Sequence, residues 1–264
     1  MKNYLEVALE AVKKAGEVLR SNLDNVGKIE YKGEKSIVTK VDLLSEKVIK
    51  ETISKHFPGH SILGEETGRD KKESSSYLWL VDPLDGTTNY AHSYPHFAVS
   101  IALQAKGELQ LGVVYNPVRE ELFYAQEGRG AYLNGKKIRV SKIDALEESH
   151  LVTGFVYEKT NLFEENIIHF ENFLRRAQSV RRDGSAALDL CYVACGRFDG
   201  FWELGLNAWD IAGGIVILEE AGGLVTDFGG RKIDLYGEEL LATNGLIHNE
   251  MIKLLYLGRP KHPN

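Results

Sequence analysis

A run of five apolar residues at positions 77–81 constrains the fold of this chain more than any other feature. Unbroken apolar runs of this length are typical of a strand that is buried on both faces of a sheet. The run is followed directly by Asp82-Pro83-Leu84-Asp85-Gly86. Because Pro83 makes the following turn rigid, we expect Asp82 and Asp85 to return to the same side of the chain. The pattern predicts a carboxylate pair at the end of a buried strand.

Helical and strand-like patterns alternate around this run. Apolar spacing predicts helices near residues 5–19, 41–57, 185–195 and 208–221, and turn-separated strands predict an antiparallel meander from residue 97 to about residue 140. Such alternation predicts an α/β (α+β) layered sandwich. We expect the 264 residues to form a single unit of two apposed lobes, residues 1–145 and 146–264.

The second predicted helix is amphipathic in its apolar spacing. Val41, Leu44, Val48 and Ile49 fall on one side of it. We therefore expect this side to face the core.

Composition excludes several classes of protein. Apolar residues make up 43% of the chain, which is normal for a globular protein, and the net charge of −6 gives no support to nucleic-acid binding. No apolar run approaches the roughly 18 residues of a membrane span, and the first residues lack the layout of a signal peptide. We therefore expect a cytoplasmic protein that binds neither nucleic acid nor a membrane.

Acidic residues mark two further element boundaries. Gly64-Glu65-Glu66 follows a short predicted strand, and Trp209-Asp210 begins a predicted helix. Taken alone, each acidic segment is equally compatible with an ordinary turn or with a helix cap. Taken together, they supply the hard oxygen ligands that suit Mg²⁺.

Several of these segments, in this order, resemble the motifs of the inositol monophosphatase family. Residues 82–90 resemble its first signature, residues 209–214 its second, and residues 64–66 its Gly-Glu-Glu element. Residues 182–189 resemble the substrate loop that opens a helix. The resemblance covers residues 5–255 and implies the αβαβα sugar-phosphatase fold with mixed sheets.

The resemblance implies a Mg²⁺-dependent phosphomonoesterase that hydrolyses inositol monophosphate with two or three ions and no phosphoenzyme. Glu65, Asp82 and the Leu84 carbonyl would hold one ion. Asp82, Asp85 and Asp210 would hold a second, and a third, weaker ion would share Glu65. The N-terminal lobe would thus carry most metal ligands, and the C-terminal lobe the substrate loop and Asp210.

The resemblance also implies catalytic and substrate-binding residues. Thr87 and Glu65 would orient the attacking water, and Asp42 would support Thr87. The residues implied to contact substrate are Asp85, Gly86, Thr87, Gly184, Ser185, Ala186, Glu203 and Asp210. The segment 153–159 contains no residue that we can match to a substrate contact.

Other members of the superfamily would use the same metal site. Fructose-1,6-bisphosphatase activity, alone or as a dual activity, and 3′-phosphonucleotide phosphatase activity are therefore alternatives, and a regulatory binding protein is a more distant one. A haloacid-dehalogenase phosphatase needs a second Asp two residues after its nucleophile. Asp82 and Asp85 are three apart with Pro83 between them, so we reject that class.

The resemblance further suggests a homodimer or tetramer and sensitivity to Li⁺. His92 and His96 lie near the first signature, four residues apart. Because Pro95 intervenes, we do not expect the two histidines to share a helical face as metal ligands.

Overall fold

The computed structural model describes residues 2–23, 29–31, 37–70, 75–156 and 161–257. Its helices are α1 (Tyr4–Asn22), α2 (Lys40–His56), α3 (Thr87–Ala91), α4 (Asn161–Leu174), α5 (Ala186–Ala194), α6 (Ala208–Glu220) and α7 (His248–Tyr256). The first ten strands are β1 (Ile29–Tyr31), β2 (Ile37–Thr39), β3 (Ser61–Gly64), β4 (Gly68–Arg69), β5 (Tyr77–Asp85), β6 (Ala98–Ala105), β7 (Glu108–Asn116), β8 (Glu121–Gln126), β9 (Gly130–Leu133) and β10 (Lys136–Lys137). The remaining strands are β11 (His150–Thr153), β12 (Ser179–Arg181), β13 (Gly200–Leu204), β14 (Leu224–Thr226) and β15 (Glu239–Thr243).

Two mixed sheets form the frame of the protein. The larger sheet has eight strands in the order β10-β9-β8-β7-β6-β5-β3-β4, and only the β3–β5 pair is parallel. The smaller sheet has five strands in the order β12-β11-β13-β15-β14, and β11 pairs in parallel with both β12 and β13. Strands β1 and β2 form a separate antiparallel pair.

Helices cover these sheets in layers. Helices α1 and α2 pack on one face of the larger sheet, and α5 and α6 lie between the two sheets. Helices α4 and α7 pack on the outer side of the smaller sheet. The predicted αβαβα layered sandwich with mixed sheets is therefore confirmed. The two sheets use residues on either side of position 145, and the division into two lobes stays a prediction.

Strand β5 differs from the expectation that its strand ends before Asp82. The strand continues to Asp85, and its pairing with β6 shifts register between Asp82 and Asp85. Pro83 has no N–H to donate to the ladder, which accounts for the irregularity. The Ser45 hydroxyl on α2 donates to the Pro83 carbonyl at 2.8 Å. The two aspartates therefore flank a bulge that α2 holds in place.

The buried face of α2 also differs from the prediction. Leu44 is 38% exposed, whereas Asp42, Ser45 and Glu46 are buried beside Val41. The Ser45 hydroxyl donates to the β5 bulge, Asp42 accepts from Thr87, and Glu46 accepts from the turn that follows β3. Val41 and Ile49 are buried as predicted, but the buried face excludes Leu44 because this helix also packs its polar side chains against the turns.

Helix α6 lies unusually close to the larger sheet. A methyl group placed on Gly112 of β7 would lie 2.2 Å from the carbonyl oxygen of Gly213 on α6, which no real side chain tolerates. A methyl group on Gly214 would meet Leu190 of α5 at 2.6 Å. These glycines set the position of α6, and therefore of Asp210 in its first turn.

No helix within the described ranges combines the length and the apolar character that crossing a bilayer requires.

The contact between β7 and α6 yields a stability prediction. Gly112→Ala should lower the free energy of unfolding by about 1–3 kcal/mol or more, because the added methyl group forces two backbones apart. Gly59→Ala is the matched control, since nothing lies within 4 Å of the added methyl group there. Urea unfolding measures both variants. Equal stability of the two would refute the close packing of α6.

Candidate active site

A cavity of about 430 Å³ lies where β5, the start of α5, β13 and the start of α6 meet. It is lined by residues from both halves of the chain, including nearly all of the predicted site residues: Glu65, Asp82, Leu84, Asp85, Gly86, Thr87, Gly184, Ser185, Ala186, Glu203 and Asp210. A separate cavity of about 500 Å³ beside the C-terminal part of α6 contains none of them. The geometry therefore favours the first cavity as the functional site.

The β5 bulge presents Asp82 and Asp85 in different ways. Asp82 is 2% exposed, and its Oδ1 accepts a hydrogen bond from the Leu84 N–H at 3.0 Å. Asp85 Oδ2 accepts from the Ser185 hydroxyl at 2.6 Å and from the Ala187 N–H at 2.8 Å. The Asp85 carboxylate thus connects the larger sheet to the beginning of α5.

Gly86 follows the bulge in a left-handed conformation, with φ of 92°. A methyl group there would lie 3.1 Å from the His96 carbonyl oxygen and 3.2 Å from that of Gly184. Glycine is therefore required both by the backbone angle and by the close approach of two other segments.

Asp210 occupies the third position of α6. Its Oδ2 accepts a hydrogen bond from the Asn207 N–H at 2.7 Å, as in a helix-capping arrangement. The same side chain lines the cavity. The sequence left open a cap or a site residue for Asp210, and the structure places it where both descriptions hold.

Asp42 lies behind the cavity wall and contacts Thr87. Its Oδ2 accepts from the Thr39 N–H at 2.9 Å and from the Thr39 hydroxyl at 2.6 Å. Its Oδ1 lies 3.1 Å from the Thr87 hydroxyl, which is also 3.1 Å from the Leu84 carbonyl oxygen. The Thr87 hydroxyl has one proton to donate, so either contact leaves its oxygen able to accept a further hydrogen bond.

Sequence reasoning missed Glu46, which holds the turn that carries Glu65. This buried side chain on α2 accepts from the Glu66 N–H at 2.8 Å and from the Thr67 N–H at 3.1 Å, and Lys50 pairs with it at 3.2 Å. A methyl group on Gly64 would collide with the Glu46 carboxylate. The i, i+4 spacing of Glu46 and Lys50 on the predicted helix before the Gly-Glu-Glu segment could have indicated this ion pair.

Glu203 lies on β13, a central strand of the smaller sheet that the sequence analysis did not identify. The residue is 9% exposed, and a methyl group on Gly154 would lie 2.2 Å from its Oε2. Gly154 therefore makes room for the carboxylate. Residues 154–156 line the cavity, although they belong to the segment without an assigned contact, and residues 157–159 lie outside the described residues.

Burial and mutual repulsion dominate the electrostatics of the cavity. Burial raises the pKa of Asp82 well above its ordinary value, and the carboxylates of Glu65, Asp85 and Asp210 raise it further. Burial likewise raises the pKa of Asp85 to about 6 and that of Asp210 to about 8. Crowded carboxylates of this kind are stable as anions only beside cations.

The donor set of the cavity fits divalent cations in its chemistry. The acids and the Leu84 carbonyl supply oxygen ligands of the type that Mg²⁺ prefers. Arg182 is the one basic side chain among the described residues that line the cavity. No three of the predicted acids, as far as the described residues go, hold ligand oxygens within 4.8 Å of one another. The fit of the cavity to divalent cations therefore rests on its oxygen ligands, on its negative charge and on the presence of all four acids in one cavity.

Comparison with known proteins identifies the family. The model of the Inositol monophosphatase family matches residues 1–257. The chain belongs to this family. It is 46% identical over 256 residues to inositol-1-monophosphatase of Synechocystis sp., with 97% of this chain and 89% of the relative covered. It is 44% identical over 252 residues to Nus factor SuhB of Pseudomonas aeruginosa, with 92% of each chain covered.

A solved structure agrees with this assignment. The extragenic suppressor protein suhB from Bartonella henselae has a TM-score of 0.93 and 39% identity, with 96% of this chain and 98% of the other covered. As a member of the inositol monophosphatase family, the chain is a phosphatase, and the family is metal-dependent. The predicted resemblance, enzyme class and fold are therefore confirmed.

The buried Glu203 carboxyl group gives the metal-free protein a specific pH dependence. Burial, aided by Asp210 and Asp85, raises the pKa of Glu203 from 4.5 to about 8. The folded state therefore binds this proton more tightly than the unfolded chain does. The resulting stabilisation is complete below pH 4.5 and is lost as the pH rises towards 8.

Glu203→Gln should remove this pH-dependent contribution. Urea unfolding in EDTA measures the free energy of unfolding of both proteins. The unmodified protein's value minus that of the variant should fall by roughly 1.4 kcal/mol per pH unit between about pH 5 and pH 7. Parallel pH profiles for the two proteins would show that Glu203 ionises normally in the folded state.

Proposed function

We propose that this phosphatase hydrolyses inositol monophosphate in a Mg²⁺-dependent reaction without a phosphoenzyme. The observation that carries the proposal is the convergence of Glu65, Asp82, Asp85 and Asp210, from separate segments, on one cavity. The name of the Synechocystis relative supports inositol phosphate as the substrate class.

The chain offers two groups of ligands. Glu65, Asp82 and the Leu84 carbonyl would hold one Mg²⁺, and Asp82, Asp85 and Asp210 would hold a second. When bound, such ions lower the pKa of water and offset the negative charge of the phosphate and the leaving alkoxide. The hydrogen bonds described above use Oδ1 of Asp82 and Oδ2 of Asp210. The other oxygen of each carboxylate is then available as a metal ligand.

Thr87 would orient the attacking water. Its proton is directed to Asp42 or to the Leu84 carbonyl, so its oxygen can accept a hydrogen bond from the cavity side. Glu65 supplies a second acceptor on the cavity wall. Two acceptors on one water would fix its orientation and take its proton as phosphorus is attacked.

The alcohol portion of the substrate would lie against the C-terminal half of the chain. The start of α5 and its preceding loop supply one wall of the cavity, and Glu203 supplies a carboxyl group opposite. A carboxyl group at the end of the space left by Gly154 can accept hydrogen bonds from neighbouring hydroxyls of a polyol. This chemistry favours a cyclitol or sugar as the leaving group.

Arg182 favours a second candidate, a sugar bisphosphate such as fructose 1,6-bisphosphate. Its guanidinium is the basic group of an otherwise acidic cavity and would pair with a second phosphate.

If this candidate is right, Arg182→Gln should lower kcat/KM for fructose 1,6-bisphosphate more than for inositol 1-phosphate. Equal effects on the two substrates would exclude it.

Two further predictions from the sequence remain proposals. We propose a homodimer, which light scattering of the purified protein would show as twice the mass of the chain. The relatives named Nus factor SuhB support an additional regulatory role, which the catalytic geometry neither requires nor opposes. A pull-down would compare the Asp210→Asn variant with the unmodified chain. If both capture a partner equally well, the regulatory role does not depend on catalysis.

Phosphate release from inositol 1-phosphate tests the main proposal. The activity should require Mg²⁺ and disappear in EDTA. Asp210→Asn should lower kcat/KM by about 100-fold or more, because loss of a ligand exceeds the 10–100-fold cost of losing a partner of a ligand. Glu51→Gln, on the exposed face of α2, is the matched control and should retain full activity.

The substrate panel should include fructose 1,6-bisphosphate, 3′-phosphoadenosine 5′-phosphate and glycerol 2-phosphate. A Mg²⁺-dependent preference for one of these would retain the ion site and change the substrate. Full activity of Asp210→Asn, or full activity in EDTA, would contradict the proposed mechanism.

A further inference from the structure

A second cluster of possible metal ligands includes two residues of the segment 182–189 and lies outside the catalytic cavity. His96, Asp183 and Asp189 each place one ligand atom within 4.8 Å of the other two. This is the one such group of three or more His, Cys, Asp or Glu side chains across the described parts of the chain. None of the three lines the catalytic cavity.

Two members of the cluster are buried and lack polar partners. His96 is 3% exposed and Asp189 is 1% exposed. The His96 Nε2 and the Asp189 Oδ1 have no hydrogen-bond partner. A buried polar atom without a partner destabilises the fold, so the two unpartnered atoms on residues of this cluster indicate a missing ligand.

The chemistry of the cluster matches a divalent transition metal. One imidazole nitrogen and two carboxylate oxygens are ligand types that Zn²⁺ accepts, and two negative charges balance the ion. Ligands of a tetrahedral Zn²⁺ lie roughly 3.4 Å apart, given ion–ligand distances of about 2.1 Å. Side-chain movements of about 1 Å would therefore close the cluster around an ion. Burial also lowers the pKa of His96, which keeps the imidazole neutral and able to bind metal.

We propose that His96 Nε2, Asp189 Oδ1 and the Asp183 carboxylate bind one divalent transition-metal ion of the Zn²⁺ type. The site is distinct from the Mg²⁺ site, since it uses none of the same ligands.

An ion at this position would connect the segment before β6 to the loop and the helix start that line one wall of the cavity. His96 precedes β6, Asp183 precedes the Gly184 turn, and Asp189 lies in the first half of α5. The Asn89 side chain already joins two of these segments, since its Nδ2 donates to the His96 carbonyl at 2.7 Å and to the Asp183 carbonyl at 2.8 Å. The ion would therefore hold the substrate loop in place and would not take part in the chemical step.

Zn²⁺ binding tests the site, provided that the catalytic cavity is disabled first. In the Asp82→Asn/Asp210→Asn background, equilibrium dialysis should show one Zn²⁺ per chain, and Co²⁺ should give visible absorption of a nitrogen-coordinated ion. Adding His96→Phe should abolish the absorption and weaken Zn²⁺ binding by at least roughly 100-fold. Adding His92→Phe, which changes an exposed histidine nearby, should leave binding unchanged.

A second variant tests the site if His96→Phe fails to fold. Asp183→Asn alters a half-buried loop residue in the same background and should also weaken Zn²⁺ binding while circular dichroism stays unchanged. Zn²⁺ binding that persists in His96→Phe or in Asp183→Asn would overturn the proposal. Absence of bound Zn²⁺ in the Asp82→Asn/Asp210→Asn protein would overturn it equally.

Discussion

The hydrogen bonds from the start of α5 to the Asp85 carboxylate are the contact on which the rest of the site depends. Asp85 belongs to the larger sheet, whereas Ser185 and Ala187 belong to the helix that packs against the smaller one. The bonds bring the substrate loop against the β5 bulge, where Gly86 alone tolerates the approach of Gly184. Together with the hydrogen bonds from Asn89 to the Asp183 and Gly184 carbonyls, this connection fixes the metal-ligand side of the cavity relative to the alcohol side.

Helix capping explains how the acids reach their positions. Asp42 and Asp210 are each the third residue of a helix, and each bonds back to the N–H of the residue that caps the helix. One carboxylate oxygen is thus fixed by the backbone, and the other is directed to Thr87 in the case of Asp42. The cost is a concentration of buried acids whose pKa values rise, as for Asp210. Divalent cations would offset that cost, which links the fold to its cofactor.

Much of this arrangement could be predicted from the sequence, since short-range signals mark it. The apolar run before Asp82, the turn residues of the meander and the family motifs located the fold and about half of the residues that line the cavity. The polar part of the buried face of α2 could not be found in this way, because its residues pair with distant turns, whereas apolar spacing points to Leu44. Strand β13 was missed because a charged Glu203 interrupts its short apolar run. The partners of His96 were likewise hidden, since they lie more than 80 residues away along the chain.

Glu65, Asp82, Asp85 and Asp210 are proposed to converge in order to hold divalent cations in one cavity. Anomalous diffraction from crystals grown with Mn²⁺, which takes the same oxygen ligands as Mg²⁺, tests this role most directly. We expect at least two Mn²⁺ peaks in this cavity, one bounded by Glu65 and Asp82 and one by Asp82, Asp85 and Asp210. A map with no Mn²⁺ peak between these carboxylates would contradict it.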